Sequence, residues 1–139
     1  MTVTTRCVQL QSRGENDVTD LTQNVQDSVS ETRLSSGVVT VFASGSTCAV
    51  TTMEYEPGLV RDFPGMLRRI APENSPYEHH KTWHDNNGHS HVKASLVGAS
   101  ITIPFVEGKL VLGTWQQIVF VELDIRPRKR EITLQIMGE

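Results

Sequence analysis

The pattern of hydrophobic and polar residues predicts a strand and then a helix at the start of the chain. Residues 3–11 alternate between two sets of side chains and are rich in residues that favour strands, which predicts an opening strand. Between residues 18 and 33, apolar side chains recur at steps of three and four, which predicts an amphipathic helix with Asp17 as its N-cap. The apolar positions of this helix are Val18, Leu21, Val25 and Val29.

The next segment predicts two strands joined by a turn. Residues 37–43 form a continuous apolar run rich in valine, which is typical of a strand buried on both faces. A hairpin-like turn through Gly45 then leads to a second strand over residues 48–56. If that strand reaches its predicted end, the side chains of Glu54 and Glu56 lie on one face of it. The two carboxylates are then either exposed to solvent or part of a functional site.

Two helices are predicted on either side of a polar loop in the middle of the chain. Apolar residues repeat with helical spacing over residues 57–71. Residues 78–87 show no clear period, so we expect an irregular loop there. Residues 89–97 suit a short helix, for which Asn86 or Asn87 is the expected N-cap.

The remainder of the chain predicts four strands at close spacing. Short connections between successive strands imply antiparallel pairing. In the last strand, apolar and polar residues alternate, so one face is expected to be buried and the other to meet solvent or a second subunit. The predicted strands are residues 99–105, 109–113, 115–123 and 130–137.

Length and composition narrow the classes of function. A chain of 139 residues is expected to form one domain, and its hydrophobic fraction of 37% suits a homo-oligomer that adds core at its interfaces. The formal net charge of -3 provides no general basic field for nucleic acid. Cys7 and Cys48 match no metal-binding or disulfide pattern. No signal peptide or long apolar run is visible, so we expect a cytoplasmic protein that does not enter a membrane.

The segment from His79 to His91 holds all five histidines of the chain. Imidazole binds metals and titrates near neutral pH, so the cluster indicates a metal, phosphate or acid–base site, with a solvated polar loop as the alternative. The cluster ends at a predicted helix N-terminus, where backbone N–H groups favour phosphate. On that helix His89 and Lys93 share one face, whereas His89 and His91 project about 200° apart.

A series of short motifs runs through the chain from about residue 37 to its end. A threonine-rich strand ends in Glu54, and a proline-rich segment leads from Ala71 to His79. The motif residues of the second half are Asn87, His91, Lys93, Gly98, Ser100, Pro104, Leu112 to Gln116, Glu122, Pro127, Arg128, Gly138 and Glu139. In order and spacing they strongly resemble the YjbQ-like proteins, also called the secondary thiamine-phosphate synthase family.

Two positions depart from the pattern that this resemblance sets. Many of the resembling proteins carry a histidine where this chain has Gly45, and an acidic residue where it has His89. Either a histidine has moved in function from one element to another, or the chain belongs to a branch with altered chemistry.

The resemblance implies a fold, an assembly and an activity. The fold is α+β, a single domain over residues 1–139 with an antiparallel β-sandwich-like core and two or three flanking helices, assembled as a homotrimer. The activity is the joining of hydroxymethylpyrimidine diphosphate to thiazole phosphate with release of pyrophosphate, regarded as a side activity. A small phosphorylated molecule is therefore the expected partner, without nucleic acid or membrane.

Site roles follow from the same resemblance. His91 and Lys93 are expected to neutralise the leaving phosphates, and a divalent cation, Mg²⁺ or Zn²⁺, is expected at Glu54 or the histidines. Trp115 is expected either to stack on the pyrimidine or to serve as a core or interface aromatic. The expected catalytic residues are His91, Lys93 and Glu54; the substrate-binding residues are Asn87, Trp115 and Gln116; the metal ligands are His79, His89 and His91.

Two other classes of function stay open at this point. Three imidazoles around zinc with an open position form a sound catalytic centre, so a metal-dependent hydrolase is one alternative. A homotrimer that binds anions without turnover is the other.

Overall fold

Two antiparallel β-sheets and four helices make up the structure, a computed structural model that describes residues 1 to 139. The elements are β1 (Thr2–Gln11), β2 (Val18–Asp20), α1 (Thr22–Thr32), β3 (Ser36–Ala43), β4 (Cys48–Met53), α2 (Pro57–Ile70), α3 (His79–Trp83), α4 (Gly88–Val97), β5 (Ser100–Val106), β6 (Lys109–Leu110), β7 (Gln117–Glu122) and β8 (Lys129–Gly138). One sheet has the strand order β1-β8-β3-β5-β6, and the other has the order β2-β7-β4.

The three-stranded sheet is the central layer of the fold. Alternate residues of a strand point to opposite faces, and in β7 both sets are apolar. Phe120 points into the main core against the five-stranded sheet, whereas Val121 points into a second core with Leu67 of α2 and Ala94 of α4. The result is a sandwich of two sheets covered on one side by helices, which confirms the predicted α+β, β-sandwich-like fold.

The first helix is shorter than the sequence pattern predicts. Val25 and Val29 are buried in the main core as predicted. Residues 18–20, however, form β2, in which Val18 pairs with Val121 of β7 and is buried in the second core. Asp17 does not cap the helix; its carboxylate instead accepts a hydrogen bond from the backbone N–H of Arg13 at 2.8 Å. Pairing with a central strand therefore outweighs the helical period at this end.

The prediction for residues 37–48 is wrong in two respects. Strand β3 is buried on one face only, because Val39 and Val41 are inside while Val38 and Phe42 are exposed. The turn through Gly45 is not a hairpin, since β3 belongs to the five-stranded sheet and β4 to the three-stranded sheet. The turn carries the chain from one layer of the sandwich to the other.

The two glutamates after β4 do not share a strand face. The strand ends at Met53, and Glu56 is the N-cap of α2. Its carboxylate accepts hydrogen bonds from the backbone N–H groups of Gly58 and Leu59, which lower the pKa of Glu56. Glu56 therefore has a structural role, because it satisfies the free N–H groups of a helix start.

Four helices are present rather than two or three. The additional one is α3, five residues from His79 to Trp83 in a segment for which an irregular loop was predicted. A single turn of helix is too short to show a hydrophobic period, so the pattern did not reveal it. The predicted helices over 57–71 and 89–97 are confirmed as α2 and α4. None of the four helices has the length and apolar character that crossing a membrane requires.

The outer face of the five-stranded sheet carries no charged side chain across three rows of paired residues. One row is apolar: Val3 pairs with Met137, which pairs on its other side with Val38, and Val38 pairs with Pro104. Phe42 is 44% exposed two rows away. Exposed apolar surface of this kind commonly marks a protein–protein contact.

Candidate functional site

The histidine-rich segment folds as two short helices that meet at Gly88. A Cβ atom at position 88 would lie 2.6 Å from the Cβ atom of Tyr77, so this contact requires glycine. The backbone N–H of Gly88 donates to Nε2 of His80 at 3.1 Å. Asn87 takes the N-cap position of α4, as predicted, but its side chain makes no capping bond. The start of α4 is therefore held by α3.

His79 and His91 form a close pair. Their ring centroids are 4.4 Å apart, with the rings tilted by 37°. Nδ1 of His79 lies 3.6 Å from Oδ1 of Asp85, and the Asn87 amide, with its nitrogen turned toward Asp85, donates to the same oxygen at 2.9 Å. The structure thus brings together two of the predicted metal ligands and one predicted substrate-binding residue.

The environment of His91 disfavours its charged form. Burial lowers the pKa of His91 below its ordinary value, and the neighbouring His79 lowers it further, while Asp85 and Asp124 oppose the shift. The neutral form of His91 is therefore favoured. A neutral imidazole offers one N–H donor and one lone-pair acceptor.

His89 and Lys93 lie on the opposite, buried side of α4. Their shared face, predicted from the spacing, is confirmed: Nε2 of His89 and Nζ of Lys93 lie 3.0 and 3.2 Å from the same carboxylate oxygen of Glu15. Both side chains are buried, and Nδ1 of His89 has no hydrogen-bond partner. Glu15 was not predicted, because it is 74 residues away from His89 and belongs to no motif.

A buried ion pair joins the two sheets near the start of α4. Nη2 and Nε of Arg130 donate to the two carboxylate oxygens of Glu122 at 2.5 and 2.8 Å. Ser12 donates to Glu122 at 2.7 Å, and Nη2 of Arg130 also donates to Oγ1 of Thr47 at 2.9 Å. This bonding to Glu122 raises the pKa of Arg130. These bonds hold the Glu122 carboxylate and the Arg130 guanidinium in fixed positions.

A second ion pair extends this network toward the histidines. Nε of Arg128 donates to Asp124 at 2.6 Å, and Oγ1 of Thr47 donates to the same oxygen at 3.2 Å. Although burial alone would raise it, the hydrogen bonds from Arg128 and from the backbone N–H of Ile125 hold the pKa of Asp124 below its ordinary value. The Asp124 carboxylate lies 3.5 Å from the Asn87 side chain, so the network ends close to the start of α4.

One signal in the sequence could have revealed the first ion pair. Alternate residues of β8 share one face, so Arg130 lies on the same face as Ile132, Leu134 and Ile136. All three of these apolar residues are buried. A charged residue on the core face of a strand requires a buried partner. The strand pattern thus indicated a buried arginine, although it did not indicate that the partner is Glu122.

A cavity of about 250 Å³ lies between α4 and the turn that links β3 to β4. His91 and Ser95 line it from α4, and Gly45, Ser46 and Cys48 line it from the turn. A larger groove of about 870 Å³ lies elsewhere, beside the turn at Gly108, and is lined by no histidine or cysteine. The smaller cavity is the candidate site because it contains His91.

Three of the predicted site residues lie far from this cavity within one chain. Glu54 is six residues beyond Cys48 along β4, which corresponds to roughly 20 Å at the rise of a strand. Gln116 lies at that same end, where its side chain donates to Thr52 at 3.2 Å. Trp115 is 74% exposed, so it is not a core aromatic of the chain. The predicted strand over 115–123 begins only at residue 117, which leaves Trp115 and Gln116 in the preceding turn.

The predicted metal ligands do not assemble into a three-residue site within one chain. No group of three or more His, Cys, Asp or Glu side chains has the geometry to hold a metal ion. His79 and His91 are paired, but His89 points to Glu15 on the other side of α4. The opposite directions of positions 89 and 91 on a helix explain this separation.

Comparison with known proteins decides the family. The family model described as UPF0047 protein YjbQ-like matches residues 6–139. The chain belongs to this YjbQ-like family. A UPF0047 protein of Methanothermobacter thermautotrophicus is 35% identical over 139 residues, which cover 100% of this chain and 95% of that protein. The UPF0047 protein YugU of Bacillus subtilis is 34% identical over 135 residues, covering 96% and 98% respectively.

Solved structures of YjbQ-like proteins share the fold over the whole chain. A YbjQ-like protein of unknown function from Sulfolobus solfataricus matches with a TM-score of 0.90 and 31% identity, covering 99% of this chain and 100% of that one. A hypothetical protein from Aeropyrum pernix matches with a TM-score of 0.87 and 34% identity, covering 100% of both chains. The two-sheet fold of this chain is thus shared with both of these proteins.

The low pKa of His91 can be tested through its neighbours. His79→Gln removes a group that lowers the pKa of His91, so the His91 imidazole should titrate at a higher pH than in the unaltered protein. Asp85→Asn removes a group that raises this pKa, so titration should move to a lower pH. NMR titration of the ring protons measures both shifts.

A matched control for this titration is Asp62→Asn, which removes an exposed carboxylate on α2 and should leave His91 unchanged. Because the pKa of His91 is lower in the folded chain than in the unfolded chain, the unfolded chain binds this proton more readily. The contribution of His91 to the free energy of unfolding is therefore fully present above the unfolded pKa and is lost as the pH falls through the folded pKa. Equal titration of His91 in all variants would show that the pair has no electrostatic coupling.

Proposed function

We propose that this YjbQ-like protein is a phosphate-handling transferase that joins a pyrimidine methyl diphosphate to thiazole phosphate, releasing pyrophosphate. The observation that carries the proposal is His91, which has a lowered pKa, packs against His79 and lines the cavity between α4 and the turn that links β3 to β4. The resemblance to the secondary thiamine-phosphate synthase family supplies the substrate class. The physiological substrate is proposed only as a small phosphorylated molecule of this kind.

The chemistry of the proposed reaction fits a hydrogen-bond donor better than a strong base. The bond between the methylene carbon and the diphosphate oxygen breaks, and the oxygen keeps the electron pair as pyrophosphate leaves. The lone pair of the thiazole nitrogen then forms the new carbon–nitrogen bond, so no proton has to be removed from the nucleophile. The site must therefore stabilise negative charge on the leaving oxygens.

His91 is the residue that we propose for this role. Its neutral ring can donate one N–H group to a phosphate oxygen in the cavity that it lines. His79 packs against the ring, and Asp85 lies beside His79. We propose that these two hold the orientation of His91.

In this proposal Lys93 does not contact the substrate. Its ammonium group is 1% exposed and lies 3.2 Å from Glu15, so it does not reach the cavity. We propose that Lys93 and His89 position α4 by fixing it to the loop that carries Glu15. Truncation of Lys93 would then act on activity through the placement of the helix.

We propose that a divalent cation binds together with the substrate diphosphate. Mg²⁺ bound to a substrate diphosphate keeps several waters and takes only one or two protein carboxylates. Asp85 is the carboxylate that lies beside the paired histidines, and we propose it for this contact. The separated histidines do not favour the zinc hydrolase alternative.

We also propose that the protein assembles as a homotrimer. The uncharged outer face of the five-stranded sheet supports self-association, because Val38 and Phe42 are exposed there. Glu54, Trp115 and Gln116 can reach a His91 cavity only in another copy, given their separation of roughly 20 Å along one chain. These three residues can therefore bind substrate only if the chains assemble into an oligomer.

Pyrophosphate release from hydroxymethylpyrimidine diphosphate and thiazole phosphate tests the proposed activity. His91→Gln should reduce turnover about 100-fold or more, which is the usual effect of removing a donor to a developing negative charge. The matched control is His84→Gln, which changes an exposed histidine and should keep full turnover. Undiminished turnover in His91→Gln would remove the proposed role, and phosphate binding without any product would favour the non-catalytic anion-binding trimer.

Light scattering after size-exclusion chromatography tests the assembly. The unaltered protein should have about three times the chain mass of 15.5 kDa, and Phe42→Glu should reduce this mass by placing a charge on the uncharged face. Ile70→Glu is the control, because Ile70 is 55% exposed at the end of α2, away from that face. A mass of 15.5 kDa for the unaltered protein would contradict the homotrimer.

A further inference from the structure

Two serines lie on opposite walls of the cavity that His91 lines. Ser95 belongs to α4, and Ser46 belongs to the turn that links β3 to β4. Both side chains are exposed, and neither hydroxyl group makes a hydrogen bond to another group of the chain. A hydroxyl group offers one donor and two acceptor lone pairs. The chain therefore leaves one free donor on each wall of the cavity.

The helical spacing of α4 places Ser95 beside His91. Residues four apart in a helix are neighbours on one face, with their Cβ atoms roughly 5 to 6 Å apart. Both residues line the cavity, as this spacing requires. One molecule in the cavity can therefore contact the imidazole and the hydroxyl group together.

The wall that carries Ser46 is held in place by the bonds of the next residue, Thr47. Nη2 of Arg130 donates to the carbonyl oxygen of Thr47 at 3.3 Å and to its Oγ1 at 2.9 Å. Oγ1 of Thr47 donates to Asp124 at 3.2 Å, and the backbone N–H of Leu123 donates to the Thr47 carbonyl at 3.0 Å. Because the turn is already ordered, little conformational entropy is lost when Ser46 gains a ligand.

The size and chemistry of the cavity indicate the part of a substrate that fits. A volume of about 250 Å³ is below the range of roughly 300 to 1,000 Å³ that is typical of pockets for complete small molecules, so one end of a substrate fits best. No acidic side chain lines the cavity, and Ser46, Ser95 and His91 can each donate to an oxygen. Hydrogen bonds to an ionised oxygen are stronger than those between neutral groups, so these donors suit a phosphate.

Two carboxylates near the cavity decide the form in which a diphosphate can bind. Asp85 and Asp124 are close enough to His91 to raise its pKa, so both oppose an anion beside it. Asp124 is paired with Arg128. Asp85 is the residue proposed above to contact the divalent cation. We therefore expect the diphosphate to bind as its Mg²⁺ complex, in which the cation offsets this repulsion.

We propose that Ser46 and Ser95 hold the terminal phosphate of the leaving diphosphate from opposite walls of the cavity, beside His91. The proposal rests on the phosphate-handling function proposed above and adds two substrate-binding residues to it. It also orients the substrate, because a cavity of this size that holds the phosphate leaves the pyrimidine ring outside.

Binding of inorganic pyrophosphate in the presence of Mg²⁺, measured by calorimetry, tests the two serines separately from turnover. Ser46→Ala and Ser95→Ala should each weaken binding about tenfold or more, because each variant loses a hydrogen bond to a charged oxygen. Ser46→Thr and Ser95→Thr keep the hydroxyl group and should bind like the unaltered protein. Alanine favours helix more than serine does, so a loss of binding in Ser95→Ala would not reflect a weakened α4.

The matched control is Ser44→Ala. Ser44 is an exposed serine in the same turn as Ser46, but it does not line the cavity, so its variant should bind pyrophosphate normally. Equal binding in all of the alanine variants would overturn the role of the two serines.

The outcomes separate this role from the proposed reaction. If Ser46→Ala and Ser95→Ala lose pyrophosphate binding while the unaltered protein makes no thiamine phosphate, the phosphate-binding role stands and the proposed function fails. If both variants bind pyrophosphate normally while the unaltered protein turns over, the role of the serines is wrong and the function stands.

A crystal structure of the unaltered protein grown with Mg²⁺ and pyrophosphate decides the question even if the variants fail to fold. Oxygens of one phosphate within hydrogen-bonding distance of both serine hydroxyl groups are the expected result. Pyrophosphate bound elsewhere, or absent at saturating concentration, would contradict the proposal.

Discussion

The buried ion pair between Glu122 and Arg130 is the interaction on which this end of the molecule depends. Glu122 is the last residue of β7 and Arg130 is near the start of β8, so the pair fastens the central sheet to the five-stranded sheet. Ser12 and Thr47 bond to the same groups, which also fixes the end of β1 and the turn between β3 and β4. A buried pair of this kind adds little net stability compared with apolar residues, but the loss of one partner leaves a charge in the core. The pair therefore specifies an arrangement rather than supplying the stability of the fold.

The candidate site is assembled around this arrangement. The turn held by Arg130 forms one wall of the cavity, and α4 forms the other wall with His91. Asp124 places the network close to Asn87 at the start of α4, and Glu15 secures the buried face of the same helix through Lys93. Lys93 seemed suited to binding phosphate but secures α4 through Glu15 instead. Arg130 holds the turn through its bonds to Thr47.

Residue patterns predicted the layers of the fold better than the details of the site. Alternation identified β1 and β8, and the helical period identified α2 and α4, because a buried face imposes a regular spacing. The strand β2 was missed because three residues are too few to show alternation, and the switch of sheets at Gly45 depends on long-range packing. His91 and His79 could be singled out from the motifs, and their pairing places them together. Glu15 could not be found, because its contact with His89 joins segments that are distant in sequence and share no motif.

The free energy of unfolding of two variants, measured by urea denaturation, tests most directly whether the ion pair has this role. Glu122→Gln should cost about 3 kcal/mol or more, because Arg130 is left buried without its counter-charge. The double variant Glu122→Leu with Arg130→Met should recover most of that loss, because a well-packed apolar pair removes both buried charges. A Glu122→Gln protein within about 0.5 kcal/mol of the unaltered chain, the usual range for surface substitutions, would contradict the account.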